Sequence, residues 1–106
     1  MNIQRISKTN FGAMYCMDGI SRKDRNFINT KVKPALDQNM VDFLDYLGYD
    51  LRLSIGVNPR KKDVLVIQKI DRTGSEKMQT TSILLDNIEA GLQKFNNKQN
   101  KKYDAE

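Results

Sequence analysis

Three consecutive bases are the residues of this chain whose types and spacing best suit a binding role: Arg60, Lys61 and Lys62. Guanidinium and ammonium groups contact phosphates and carboxylates, and a basic run at an exposed turn can enter a groove or lie on a phosphate backbone. Turns between strands are also commonly charged for solubility and to prevent edge pairing. Solvation alone is therefore the alternative to binding at residues 60–62.

A second basic cluster lies in residues 22–33 and consists of Arg22, Lys23 and Arg25. The whole chain of 106 residues has 18 Lys and Arg against 13 Asp and Glu, a net charge of +5. Such a balance suits nucleic acids, acidic proteins or anionic ligands as partners. The abundance of Asn and Lys is also what an AT-rich genome produces, and lysines acquired in that way need no partner.

Four aspartates and no base occupy residues 34–50, between the two basic zones: Asp37, Asp42, Asp45 and Asp50. Asp42 and Asp45 are three residues apart, which makes them neighbours on a helix. Such a pair could bind a divalent cation, act as an acid–base pair or dock a basic surface. Aspartate is also ordinary on the solvent face of a helix, so we interpret Asp42 and Asp45 as a weak docking patch and predict no metal site.

The sequence lacks the residues of most catalytic sites. It has no histidine and one cysteine, Cys16, which excludes Ser–His and Cys–His pairs and zinc sites with two or more His or Cys ligands. Cys16 lies in an apolar stretch and is expected to be buried as a small hydrophobe. We therefore predict a non-enzymatic protein with no catalytic residues and no cofactor.

No apolar run approaches the roughly 20 residues of a membrane helix, and the first residues do not lead into the apolar stretch of a signal peptide. A lone cysteine cannot form an internal disulfide and suits a reducing compartment. We expect a cytoplasmic protein that does not contact membranes.

The elements that would position these residues begin with two main helices, predicted from apolar residues at helical spacing. The first covers about 34–47, with Pro34 as its first residue and Gly48 as a left-handed stop. The second covers about 82–96, with Thr81 or Ser82 as its N-cap.

A capping box of Ser21 and Asp24 predicts a short helical segment before the first main helix.

Alternating apolar residues predict an antiparallel sheet around a central hairpin at about 51–70. Residues 64–67 are continuously apolar, which indicates a central strand covered on both faces. Residues 11–17 alternate and are expected to join one edge, and 78–81 to form a brief third strand. The turn at 58–62 would hold the three bases roughly 20–25 Å from the far end of the hairpin.

Together these elements predict a small α+β domain over residues 1–97, with both main helices on one face of the sheet. Residues 1–10 are expected to be a loose arm or an edge strand. Residues 98–106 have little to bury and are predicted to be a polar, disordered tail.

The order helix, two or three strands, helix is similar to that of a double-stranded-RNA-binding domain. That family also uses a basic loop between its first two strands, which implies phosphate contacts for residues 60–62. Its second helix opens with a lysine cluster, whereas the corresponding residues 80–86 here are Thr-Thr-Ser-Ile-Leu-Leu-Asp. The resemblance thus covers element order and the basic loop, without the lysine cluster that contacts phosphates.

Our leading hypothesis is a small non-enzymatic binding protein that acts through its charged surface zones, of the kind common among accessory and inhibitor proteins of phages and mobile elements. The first alternative is a nucleic-acid-binding module that uses residues 60–62 and the basic segment 22–33. The second alternative is a small-ligand or nucleotide-binding domain with a pocket between helix and sheet.

Overall fold

The computed structural model describes residues 14–104, which fold around one four-stranded sheet. In the order in which they lie in the sheet, the strands are β1 (Met14–Cys16), β2 (Tyr49–Val57), β3 (Asp63–Asp71) and β4 (Gln79–Leu84). The antiparallel pairs β2–β3 and β3–β4 confirm the predicted hairpin, the central place of β3 and the third strand. β1 confirms the predicted edge strand over residues 14–16, and residues 1–13 lie outside the described part of the chain.

The predicted α+β class is confirmed, although the sheet is mixed because its edge strand β1 departs from the antiparallel pairing of β2, β3 and β4. β1 runs parallel to β2, with Met14 opposite Leu51 and Cys16 opposite Leu53. The helices of residues 22–47 connect the two strands, and a crossover of that kind returns the chain to the sheet in the parallel direction. A period-2 pattern shows that a strand exists but carries no information on its direction.

Three α-helices cover one face of the sheet: α1 (Arg22–Phe27), α2 (Gln38–Leu47) and α3 (Ile88–Asp104). A π-helical turn, Ile28–Val32, and a 3₁₀ turn, Lys33–Ala35, continue α1 towards α2. A second 3₁₀ turn, Leu85–Asn87, precedes α3. Within residues 14–104, no helix is both long enough and apolar enough to cross a membrane.

The first helical region begins and ends at the capping residues that the sequence predicted. The Ser21 hydroxyl accepts a hydrogen bond from the backbone N–H of Asp24 at 3.1 Å, which confirms the predicted cap. Gly48 ends α2 with φ at 99° in the left-handed region, which confirms the predicted stop.

Pro34 does not begin the first main helix, contrary to the prediction. It lies in the 3₁₀ turn, and α2 begins at Gln38. The carboxylate of Asp37 accepts the backbone N–H of Asn39 at 3.0 Å and serves as the N-cap. Because an extended residue, Leu36, separates the turn from this cap, the proline can only shape the turn.

The last helix begins later than predicted. Thr81 and Ser82, expected to be its N-cap, are residues of β4 and lie opposite Ile67 and Val66 of β3. Threonine and serine serve equally well as caps and as strand residues, and the hydrogen bonds to β3 decide in favour of the strand.

The last helix also ends later than predicted and continues through residues 98–104 of the expected disordered tail. Asn96 and Gln99 are buried. The Asn96 side chain donates to the Ala35 carbonyl at 3.0 Å and accepts the Asp37 N–H at 3.0 Å. Asn100 donates to the Asp37 carboxylate at 2.9 Å. This stretch is therefore helical because its amide side chains bind the turn before α2.

The core lies between the helices and one face of the sheet. It contains the inward-facing residues of all four strands and apolar residues of the helices: Met14, Cys16, Leu51, Leu53, Leu65, Ile67, Ile83, Ile28, Val32, Leu36, Met40, Val41, Leu44, Leu92 and Phe95. Cys16 is buried among them, as predicted. A Cβ on Gly91 would lie 2.2 Å from the side chain of Ile83, so the glycine allows α3 to approach β4 closely.

Candidate binding surface

The turn that carries the three bases is held by one side chain, Asn58. Its amide oxygen accepts the backbone N–H groups of Arg60 and Lys62, both at 2.9 Å. Backbone bonds between Asn58 and Lys62 (2.9 Å) and between Lys61 and Asn58 (2.8 Å) close the turn. Lys61 takes a positive φ of 64°. The backbone of the turn is therefore fixed before any partner binds.

The side chains of Arg60, Lys61 and Lys62 are exposed on this rigid turn. Among the hydrogen bonds and ion pairs of residues 14–104, none is made by their charged groups. Their charges are thus available to an external anion, in agreement with either predicted role for this turn.

The fold brings the second basic cluster to the same end of the molecule. Lys23 lines a shallow pocket together with Phe27 of α1, Val57 at the end of β2 and Asp63 at the start of β3. The helix α1 begins at this end because β1 runs parallel to β2 and delivers the chain there. Lys23 and Asp24, far from the basic turn 58–62 in the sequence, thus lie beside Val57 and Asp63, the residues that flank that turn.

We call this surface the basic end, defined by its six bases Arg22, Lys23, Arg25, Arg60, Lys61 and Lys62. All six are exposed. Two carboxylates, Asp24 and Asp63, line the same shallow pocket as Lys23. The surface is therefore strongly but not uniformly positive.

Two aspartates of the acidic zone form ion pairs within the fold, and the docking role of Asp42 and Asp45 stays a prediction. Asp45 forms an ion pair with Arg72 at 3.0 Å, and Asp50 forms a second, shorter one with the same guanidinium. Arg72 also donates to the Asp45 carbonyl at 2.6 Å. Burial alone lowers the pKa of Arg72, but the hydrogen bonds and charges of Asp50 and Asp45 outweigh it and raise the pKa.

Of the predicted docking pair, Asp45 thus has an ion-pair partner within the molecule, and Asp42 has none within residues 14–104. The Asp42 carboxylate is exposed and accepts a hydrogen bond from the Gln38 side chain at 2.9 Å. No group of three or more acidic, His or Cys side chains within residues 14–104 is arranged to hold a metal ion.

A third group of bases lies on α3 and was missed in the sequence. Lys94 and Lys98 are exposed and line a groove between α3 and β4. The apolar pattern predicted a helix that ends at residue 96 and a disordered tail that contains Lys98, so the pair was not recognised. Their spacing of four residues would have placed them on one helical face had the helix been extended.

One lysine is buried rather than exposed. The ammonium of Lys69 lies 4.4 Å from the ring centroid of Tyr49, and only 4% of the residue is exposed. Burial lowers the pKa of Lys69, and the Glu76 carboxylate acts in the opposite direction. The Tyr49 hydroxyl donates to Glu76 at 2.6 Å, so these three residues form one cluster at the end of the hairpin away from the basic end.

Comparison with protein-family models, curated proteins and solved structures gave no significant match to this chain. The resemblance to a double-stranded-RNA-binding domain therefore rests on element order and the basic loop alone.

Proposed function

We propose that this protein is a non-enzymatic binding protein and that its basic end contacts the phosphate backbone of a nucleic acid. The observation that supports this function is the position of the exposed Lys23 beside Val57 and Asp63, the residues that flank the basic turn 58–62. If the bases served only to solvate the turn, no base would be needed outside residues 60–62. A phosphate backbone offers successive anions, which basic residues of two chain segments can bind together.

The rigidity of the turn favours the same function. Asn58 fixes the turn backbone through two hydrogen bonds, so the three bases are presented without the cost of ordering the loop on binding. The mixed charge of the surface suits this ligand as well, because Asp24 and Asp63 would limit indiscriminate binding of polyanions.

The experiment is a salt titration of the binding of a short fluorescein-labelled DNA duplex, followed by anisotropy. Replacement of Arg60, Lys61 and Lys62 by Ser should reduce the slope of log affinity against log salt by up to about 2.7, because up to three counterion-releasing contacts are lost. Replacement of Arg22, Lys23 and Arg25 by Ser should reduce it by a similar amount if the basic end acts as one surface.

The matched control changes three exposed lysines outside the basic end and the segment 22–33, Lys77, Lys94 and Lys101, to Ser. This variant has the same net charge as the two test variants, so it corrects for the general effect of charge on association. Equal slopes for the control and the two test variants would refute a phosphate-contacting role for the basic end. The protein-docking hypothesis would then take its place.

A further inference from the structure

The groove between β4 and α3 has the features of a docking site for an extended peptide. It has a volume of about 730 Å³, and Ile83, Leu84 and Phe95 provide its apolar surface. Lys94 and Lys98 of α3 add positive charge, and none of the residues that line the groove is acidic. This groove shares no lining residue with the shallow pocket at the basic end, and the inference about its occupant goes beyond the function proposed above.

One wall of the groove is an unprotected strand edge. Within residues 14–104, β3 is the only strand that pairs with β4, so the outer edge of β4 presents backbone N–H and C=O groups without strand partners. Exposed edge strands are usually protected by a charged residue, a proline or a bulge. The strand Gln79–Leu84 contains no charged residue and no proline, and it pairs with β3 without a bulge.

We propose that an extended, acidic segment of a partner protein adds to the sheet beside β4, with its carboxylates on Lys94 and Lys98. Every second side chain of an added strand would face α3, at intervals of about 6.7 Å. Four residues of a helix rise about 6 Å, so Lys94 and Lys98 match two successive inward side chains. One helical turn earlier, the small side chain of Ala90 lines the groove.

Charge and hydrogen bonding together select this occupant. A nucleic-acid backbone has no amide groups to pair with a strand edge, and it gains nothing from the apolar surface of Ile83 and Leu84. A second copy of this chain, paired edge to edge, would place both pairs of Lys94 and Lys98 on the same face of the joined sheet, where they repel one another. Residues 1–13 of the chain have two bases and no acid, so their charge does not complement the groove.

The test uses a synthetic fluorescein-labelled peptide in which Val alternates with Asp, and measures its binding to the full chain by anisotropy. Two further peptides are N-methylated on one or the other set of alternate residues. Because a strand hydrogen-bonds to its neighbour through alternate residues, we expect one methylated peptide to bind at least about tenfold more weakly and the other nearly as well as the parent. Amide exchange of residues 79–84 should slow when the parent peptide binds.

Two charge-reversed variants then separate the groove from the basic end. Lys94→Glu with Lys98→Glu should weaken peptide binding about tenfold, since two exposed charge pairs become repulsive. Lys61→Glu with Lys62→Glu has the same net charge and should leave peptide binding nearly unchanged. Lys94→Arg with Lys98→Arg should also retain binding, and circular dichroism checks that every variant is folded.

Three results would each overturn this inference. The first is no binding of the acidic peptide, or equal loss with both methylated peptides. The second is a dimer by light scattering whose residues 79–84 are protected from exchange without peptide. The third is a DNA salt slope that falls in the Lys94→Glu and Lys98→Glu variant while its peptide affinity is unchanged. A failure of the DNA experiment at the basic end would leave this inference intact, since the Lys61 and Lys62 variant tests the two sites separately.

Discussion

At each end of β3, a single side chain accepts hydrogen bonds from the backbone of a turn. In the tip turn, residues 58–62, the acceptor is the neutral amide of Asn58. In the base turn, residues 71–76, it is the carboxylate of Asp71, which accepts the N–H groups of Thr73 at 2.9 Å and Glu76 at 3.0 Å. In both turns a side-chain oxygen accepts backbone N–H groups, and it belongs to an amide at the tip and to a carboxylate at the base.

The basic residues at these two turns differ in whether they have partners within the fold. At the tip, the charged groups of residues 60–62 make no hydrogen bond or ion pair within residues 14–104. At the base, Arg72 joins the end of β3 to α2 through Asp45 and to β2 through Asp50, and its backbone N–H donates to the Gly48 carbonyl at 2.9 Å. Charge at the base therefore stabilises the fold, whereas charge at the tip is available for binding.

The largest effect should come from Arg72. We expect Arg72→Met to lower the free energy of unfolding by about 2 kcal/mol, because Asp45 and Asp50 lose their cation and the Asp45 carbonyl loses a donor. This figure is already reduced for the exposure of the guanidinium, whose side chain is 40% accessible. Urea denaturation gives the measurement, and Arg60→Met at the tip is the control, expected within about 0.5 kcal/mol of wild type. Similar losses for the two variants would remove the distinction between the two ends.

Gly48, whose carbonyl accepts the Arg72 N–H, is the next residue of the base end to test. Gly48→Val should destabilise the protein by about 1 kcal/mol or more, because a β-branched residue tolerates positive φ poorly. An added Cβ would meet nothing within 4 Å, so the cost is conformational and not steric crowding by neighbours. Gly48→Asn, which accepts the left-handed region more readily, should cost less in the same denaturation experiment. Equal stability of wild type and the valine variant would contradict this account of the stop.

At the tip, the residue that matters for stability should be Asn58. Asn58→Ala removes the acceptor for two backbone N–H groups and should cost about 1 kcal/mol, with partial compensation by water at this exposed site. Asn58→Asp keeps an acceptor and should retain most of the stability. If Asn58→Ala left both stability and DNA binding unchanged, the claim that the turn is preorganised would be wrong.

The smallest effect should be a difference in pH response between the two turns. Hydrogen bonds to the Asp71 carboxylate, foremost that of the Thr73 hydroxyl, lower its pKa below 3.8. Because the pKa is lowered in the folded state, the contribution of Asp71 is present above pH 3.8 and is lost as the pH falls through the folded value. The Asn58 amide does not titrate.

Amide chemical shifts measure this difference between the turns. On acidification, the N–H resonances of Thr73 and Glu76 should shift with a midpoint below pH 3.8, and those of Arg60 and Lys62 should not follow that midpoint. Asp71→Asn should abolish the titration of the base turn. A common midpoint at both turns would indicate global unfolding instead of a local carboxylate.

The candidate sites differ in how much of them the sequence alone could identify. Residues 60–62 and 22–25 were identified from composition, since runs of bases are visible in a sequence. The position of Lys23 beside the strand ends that flank the turn was not, because it depends on the parallel pairing of β1 and β2. Lys94 and Lys98 escaped prediction for a similar reason, since the helix that carries Lys98 exists only where its polar residues find distant partners.

The sequence by itself determined the features that depend on a few neighbouring residues: the Ser21 cap, the stop at Gly48, the alternation of β2 and the turn before β3. Each rests on backbone geometry or on a hydrogen bond within four residues of the chain. Only the tertiary structure decided the direction of β1, the assignment of Thr81 and Ser82 to a strand, and the continuation of α3 to Asp104. Asn96 and Asn100 bind residues 61 and 63 positions away. Partners at that distance leave no local pattern, so the identity of the residues alone could not reveal them.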